Sequence, residues 1–163
     1  MKHDILEDII AHKQIELQHQ KKAVPLQTLL GLASEAMERN TVSMRESLEK
    51  SACGIIAEFK RKSPSKGWLH PKAKVSDIIP AYQANGAAAC SILTDELFFG
   101  GSLGDLKKAR RQTSLPLLRK DFVLESYQLF QAKAMGADAV LLIAAVLNPE
   151  DCEILASTAH TLG

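Results

Sequence analysis

Glu58 and Lys60 stand two residues apart at the end of an apolar run, in the segment IIAEFKRKSPSKG that spans residues 55–67. Side chains of a strand alternate between its faces, so Ile56, Glu58 and Lys60 share one face while Ile55, Ala57 and Phe59 share the other. A carboxylate and an ammonium are thereby aimed at one spot, which is how an active site begins. Stripping water from a lone charge is costly, so neither group is placed inside a domain without a partner. The alternative is a structural Glu58–Lys60 pair that braces a strand end. Arg61, Lys62, Ser63, Ser65 and Lys66 follow as a basic loop, whose charge would attract an anionic ligand.

The elements that must hold these residues fall into two parts. From Ile5 to about Lys21, apolar residues recur at Ile5, Ile9, Ile15 and Leu17 among charged neighbours, and Val42 to Lys50 also reads as helical. Residues 1–50 therefore form a helical extension ahead of any strand. After Ser51 the pattern changes to short, nearly continuous apolar runs at Ile55–Phe59, Ala88–Thr94, Leu115–Leu118 with an extension to Phe122, and Ala139–Ala145. Such runs suit strands covered on both faces. Helices are predicted between and after them at about Ser76–Asn85, Leu103–Gln112, Ser126–Met135 and Pro149–Leu162. Gly86 and Gly136 stand where helix C-caps are expected, and Asn148-Pro149 has the order that opens a helix.

This is a repeated β-α unit, which implies an α/β fold with a parallel sheet and right-handed crossovers. Polar residues gather at the C-terminal ends of the runs: Glu58 and Lys60, then Thr94, Asp95 and Glu96, then Lys120 and Asp121. In both open sheets and barrels that end carries the ligand. The turn after the first strand, KRKSPSKG, has neither a Gly-x-Gly-x-x-Gly nor a Walker pattern, which favours a barrel over a nucleotide-binding sheet. An eight-unit barrel uses about 30 residues per unit. Residues 51–163 thus hold about four units.

Composition excludes several classes. The chain has 163 residues, 46% of them hydrophobic, and a formal charge of +1, so nothing in its overall charge calls for nucleic acid. No apolar run reaches the ~18 residues of a membrane span, and the N-terminal segment carries acids where a secretory signal would be basic and apolar. The cytoplasm is the expected location. Cys53, Cys90 and Cys152 are odd in number, widely spaced and free of a Cys-x-x-Cys pattern, so they read as ordinary thiols. His12 and His19 could share a helix face, but without a further ligand group they make no metal site.

Four segments, IIAEFKRKSPSKG, SILTDELFFGGS, LPLLRKDFVLESYQ and GADAVLLIAAVL, in this order and at these separations, closely resemble the first half of indole-3-glycerol phosphate synthase. The resemblance covers essentially the whole chain and implies the first four βα units of a (β/α)8 TIM barrel behind an N-terminal helical extension. It also implies a cofactor-free carboxy-lyase reaction of tryptophan biosynthesis. The substrate, 1-(2-carboxyphenylamino)-1-deoxyribulose 5-phosphate, undergoes ring closure onto a carbonyl, then loses carbon dioxide and water.

By the same resemblance Lys120 is the general acid at the substrate carbonyl oxygen, Lys60 a substrate-binding cation, and Glu58 the carboxylate that orients the lysines. Ser63 and Pro64 match the loop that closes on the substrate, Phe99 and Phe122 aromatic contacts, and Leu141 an apolar wall. Alternation independently puts Leu118, Lys120 and Phe122 on one side; plain core packing is the alternative for Phe99, Phe122 and Leu141. The family's second catalytic carboxylate and its phosphate-gripping loops belong to the half of the barrel beyond this sequence. Isolated, the 163 residues are therefore expected to be inactive, with Ile55–Phe59 and Ala139–Ala145 as bare apolar edges, and either to self-associate or to be partly molten. The alternative function is a noncatalytic half-barrel that self-associates or binds anionic ligands.

Overall fold

The computed structural model describes residues 4–163. Three helices precede the first strand: α1 (Ile5–Ala23), α2 (Leu26–Met37) and α3 (Met44–Lys50). Asp4 caps α1, its side chain accepting from Leu6 N at 2.9 Å, and Ser43 caps α3 in the same manner. The buried stripe of α1 is not the expected one. Ile9 and Leu17 are buried, but Ile5 and Ile15 are exposed, and the residue completing the stripe at i+4 spacing is Lys13.

Helix α2 was not expected from the sequence. Its leucines point in several directions, with Leu29 and Ala33 buried while Leu26, Leu30 and Leu32 lie in the open, so no clean 3.6-residue period marks it. Packing decides it instead: Leu29 joins Leu17 and Tyr127 in one apolar cluster.

The strands and later helices follow in order: β1 (Ile56–Phe59), β2 (Lys62–Ser63), β3 (Gly67–Trp68), α4 (Val75–Ala84), β4 (Ala89–Leu93), α5 (Leu103–Arg110), β5 (Leu117–Lys120), α6 (Ser126–Met135), β6 (Ala139–Val140) and α7 (Pro149–Thr161). β1, β4, β5 and β6 form one parallel sheet in that order. The helix ends agree with the sequence signals: Gly136 caps α6 at φ 89°, in the left-handed region that glycine tolerates, and Asn148 caps α7 ahead of Pro149.

Two strands differ from expectation. β5 starts at Leu117 rather than Leu115, because Pro116 has no N–H to give a ladder and the Leu115 carbonyl is taken by Arg110. β6 stops at Val140 rather than Ala145. Val146 N and Leu147 N both donate to the Ile143 carbonyl, so the chain turns before the expected strand is complete. The expected loop KRKSPSKG is in part a hairpin, with Lys62 opposite Trp68 and Ser63 opposite Gly67.

The sheet's helix side carries Phe59, Cys90, Ile92 and Leu117, packed with Ile79 and Leu106. Each such large side chain contributes about 1.5–3 kcal/mol when fully buried. The register places Glu58, Ser91, Leu118 and Ala139 side by side on the other face, with Lys120 opposite Leu93. At the N-terminal end of the sheet the buried Asp138 gathers Arg39, Arg110 and the Val42 and Leu117 amides at 2.7–2.9 Å. That brace joins the segment after α2 to the barrel units. Among the described residues β1 pairs only with β4 and β6 only with β5.

Candidate active site

At the C-terminal end of β1 the pleat presents Glu58 to the inner face, and α4 fixes the backbone there: the Tyr82 hydroxyl donates to the Glu58 carbonyl at 3.0 Å. The Glu58 carboxylate bridges two ammoniums. Oε1 lies 2.9 Å from Lys60 Nζ and Oε2 lies 2.9 Å from Lys120 Nζ. Ser91 Oγ, from the intervening β4, reaches Oε2 at 3.5 Å.

All three charged groups keep about a third of their side-chain surface open to solvent. Burial pushes the Glu58 carboxyl up, but the hydrogen bonds and charges of Lys120 and Lys60 outweigh it and hold the group below the usual carboxylate range. One carboxylate between two ammoniums leaves a net positive spot, suited to an anion and to proton donation.

The loops after the strands bring two aromatic rings together. Phe99, between β4 and α5, and Phe122, just past β5, face each other with centroids 6.1 Å apart and planes tilted by 38°. The loop carrying Phe99 is tightly held, since a Cβ at Gly101 would collide with the Leu93 carbonyl. Ser63 ends β2 opposite Gly67 and Pro64 opens the turn of the β2–β3 hairpin; Ser63 Oγ accepts from Lys66 N at 3.3 Å and Pro64 is exposed. Leu141 is half-buried one residue beyond β6, just past the last registered pair, Arg119 with Val140. Alongside the unpaired edge of β1 runs a cleft of about 690 Å³ lined by Glu58, Lys60, Leu69, His70 and Tyr82.

The basic loop is less available to a ligand than its sequence suggests. Arg61 donates to the carbonyls of Gly100 at 2.9 Å and Ala73 at 3.2 Å, pairs with Asp105 and stacks over Phe59. Lys62 donates to the Leu97 carbonyl at 2.6 Å and lies over Trp68. Five carbonyl-seeking donors on a guanidinium make Arg61 a tie between loops rather than a free charge.

A second ionic cluster sits behind the strand ends, sealed except for Glu16, which keeps 18% of its side-chain surface exposed. Lys13 Nζ, from α1, lies 2.8 Å from Glu16 Oε2 and 3.0 Å from both Asp95 Oδ2 and Asp121 Oδ1. Asp121 also accepts from Arg119 at 3.0 Å and from Thr94 Oγ1 at 2.6 Å. Sequence reading marked Asp95 and Asp121 only as polar strand-end residues and missed Lys13, Ser91 and Arg119. The available signal for Lys13 was its position four residues from both Ile9 and Leu17, a lysine inside an apolar stripe. Among the described residues no group of three His, Cys, Asp or Glu side chains is placed to hold a metal.

The indole-3-glycerol phosphate synthase family model matches residues 6–163. The chain belongs to this family. It is 52% identical over 160 residues to the indole-3-glycerol phosphate synthase of Bacteroides thetaiotaomicron, covering 98% of this chain and 61% of that protein. To the proteins of that name from Neisseria meningitidis serogroup B and Burkholderia ambifaria it is 46% and 45% identical, again over 98% of this chain and 62% of theirs. The chain thus spans about three fifths of the length of these relatives. As indole-3-glycerol phosphate synthases are TIM-barrel proteins, the four parallel strands and their helices are the first units of such a barrel, and the face carrying Glu58 and Lys120 is its interior.

Proposed function

We propose that the complete protein carrying this chain is an indole-3-glycerol phosphate synthase, a cytoplasmic carboxy-lyase of tryptophan biosynthesis that uses no cofactor, nucleic acid or membrane. The single observation that carries the reading is the Glu58 carboxylate held at 2.9 Å from both Lys60 and Lys120 on the barrel's inner face.

The substrate is the phosphorylated 1-(2-carboxyphenylamino)-1-deoxyribulose 5-phosphate. Its anilino ring carbon attacks the ribulose carbonyl, forming a carbon–carbon bond as negative charge builds on the oxygen, and the Lys120 ammonium supplies the proton there. The carboxylate carbon then leaves as carbon dioxide, its bonding electrons restoring the ring, and loss of water completes the indole. Lys60 binds the anionic substrate and serves the later proton transfer, while Glu58 orients both lysines. Phe99 and Phe122 offer an aromatic pair for the anthranilate ring, with Leu141 as an apolar wall. Ser63 and Pro64, on the β2–β3 hairpin, form the closing loop. Residues 1–50 are assigned as a helical extension; residues 1–3 lie outside the described residues, and the remainder packs on the four βα units through Leu17 and Leu29 against Tyr127.

Indole-product fluorescence tests this in the complete protein, in residues 1–163 alone, and in residues 1–163 mixed with the remainder of the chain. Product is expected from the first and third preparations and not from the second. No product from the complete protein would overturn the assignment.

A second reading concerns residues 1–163 on their own. Ile55 and Ile56 on the open edge of β1 are 55% and 42% exposed, and such edges pair with one another. On this reading the isolated 163 residues self-associate edge to edge. Sedimentation gives the answer: an ordered monomer at high micromolar concentration would refute it.

A further inference from the structure

We infer that Lys13 on α1 is a positioning residue for the active site, fixing the β4–α5 loop and the segment after β5 that carry its two aromatic rings. The inference rests on the assignment of Phe99, Lys120 and Phe122 to the synthase site. Its observations are independent of that assignment.

Lys13 is 1% exposed, yet its ammonium faces two carboxylates from two different strand ends, each at 3.0 Å. Each of those carboxylates in turn holds a backbone amide next to the site. Asp95 Oδ1 accepts from Phe98 N at 2.8 Å, and the Asp95 carbonyl accepts from Gly101 N at 2.8 Å, closing the loop that contains Phe99. Asp121 Oδ1 accepts from Phe122 N at 2.8 Å and follows Lys120 directly. One ammonium therefore joins the supports of both rings. His12, the neighbouring residue on α1, adds an edge contact to Phe98 at 5.8 Å between ring centroids.

The burial makes this connection demanding. Asp95 Oδ2 makes no hydrogen bond among the described residues, so the Lys13 ammonium is what compensates its charge. Without Lys13, Asp95 and Asp121 would face each other, with Glu16 also stripped of its cation, and among the described residues only Arg119 beside Asp121 would balance them. The loops would part to relieve the repulsion, moving Phe99 away from Phe122. A lysine with a purely stabilising task has no need to contact two loops that both end at the same pair of rings.

The test uses the complete protein and two variants, Lys13→Met and Asp95→Asn, with amide hydrogen exchange and steady-state kinetics as readouts. Asn at 95 retains the oxygen that accepts from Phe98 N but loses the charge that Lys13 neutralises, so it cuts the connection even if Lys13→Met fails to fold. Exchange at Phe98, Gly101 and Phe122 should accelerate by about tenfold or more in the variants, while Cys90 and Leu117 in the sheet keep wild-type protection. In the same proteins kcat should fall by about tenfold with KM little changed.

A uniform rise in exchange across loops and sheet, with specific activity per folded molecule unchanged, would mean that Lys13 only stabilises and would overturn the inference. Unchanged exchange at Phe98 and Phe122 in Asp95→Asn would overturn it equally. Local acceleration in a protein with no synthase activity would uphold the positioning and reject the reaction, so the two claims fail separately.

Discussion

Two ionic clusters stand at the C-terminal end of the same sheet and differ in one respect, access to water. Glu58, Lys60 and Lys120 keep about a third of their side-chain surfaces exposed, whereas Lys13, Asp95, Asp121 and Arg119 keep only 1–2%. The open cluster can exchange protons and admit an anion. The sealed one can do neither, and its charges are spent on each other and on backbone amides. Charge at a strand end is therefore not in itself a catalytic signal; the same residue types are sealed where an N-terminal helix covers them and stay accessible where nothing does.

The comparison is broken most directly at Lys120. In the complete protein Lys120→Ala should lower kcat by about 10²–10⁴-fold, the contribution of a general acid, with a smaller change in KM. Its melting temperature should stay near wild type. Retained turnover would remove Lys120 from the chemistry.

On the sealed side the expected damage is to stability. Asp121→Ala leaves Lys13 and Arg119 buried without their shared carboxylate, and breaking a buried pair in this way costs about 3–5 kcal/mol. Urea unfolding would measure it. A loss below about 1 kcal/mol, the range of exposed pairs, would erase the distinction drawn between the clusters.

Glu58→Gln sharpens the contrast. It keeps shape and folding, and removing a partly exposed carboxylate should cost no more than about 1 kcal/mol of stability. Turnover should nevertheless drop, because the two lysines lose the charge that orients them. A sharp fall in stability with normal activity per folded molecule would make Glu58–Lys60 a structural pair after all. For Lys60→Ala the expected change is a rise in KM for the phosphorylated substrate that is larger at low salt than at high, since salt screens the wild-type attraction. Equal KM values at both ionic strengths would count against the role.

The smallest effect separates the clusters by pH. Asp121 is pushed up by burial but held below its ordinary 3.8 by Arg119 and Lys13, and Glu58 is held below its ordinary 4.5 by its two lysines. A depressed folded value means stability that is fully present above the ordinary value and lost as pH falls through the folded one. Lys13 works in the opposite sense. Burial lowers its value, but Asp121, Asp95 and Glu16 together raise it above 10.5, so its contribution is present below that pH and lost as pH rises through the higher folded value. Urea midpoints should thus decline below about pH 4, and Asp121→Asn should flatten that acid limb more than Glu58→Gln does. Equal flattening would indicate equal burial.

Much of this protein was legible from its residues. The pleat alone put Glu58 and Lys60 on one face, because a strand has a period of two and needs no partner to have it. Apolar runs located all four strands of the sheet, the first three of them ending in polar residues, and Gly136 and Asn148-Pro149 located helix ends, since left-handed backbone and a capped first turn are local demands. The motif order was sufficient to point to the synthase family. Where local signals were weak, the reading failed: α2, apolar on several sides, becomes a helix by packing against α6, and β6 is cut short by a turn at Ile143.

Sequence by itself determined which residues carry charge, which face of each strand they take and which family they belong to. Tertiary structure alone decided which charges meet. Glu58 and Lys120 are 62 residues apart, and Lys13 reaches Asp121 from an element that forms no part of the sheet. It also decided which charges stay accessible: Arg61 and Lys62, basic in sequence, are engaged by carbonyls and aromatic rings, while Lys60 and Lys120 keep about a third of their side-chain surface exposed around Glu58. The physical reason is that charge and strand parity are properties of a residue and its neighbours along the chain. Burial and pairing are set by whatever distant segment the fold lays on top.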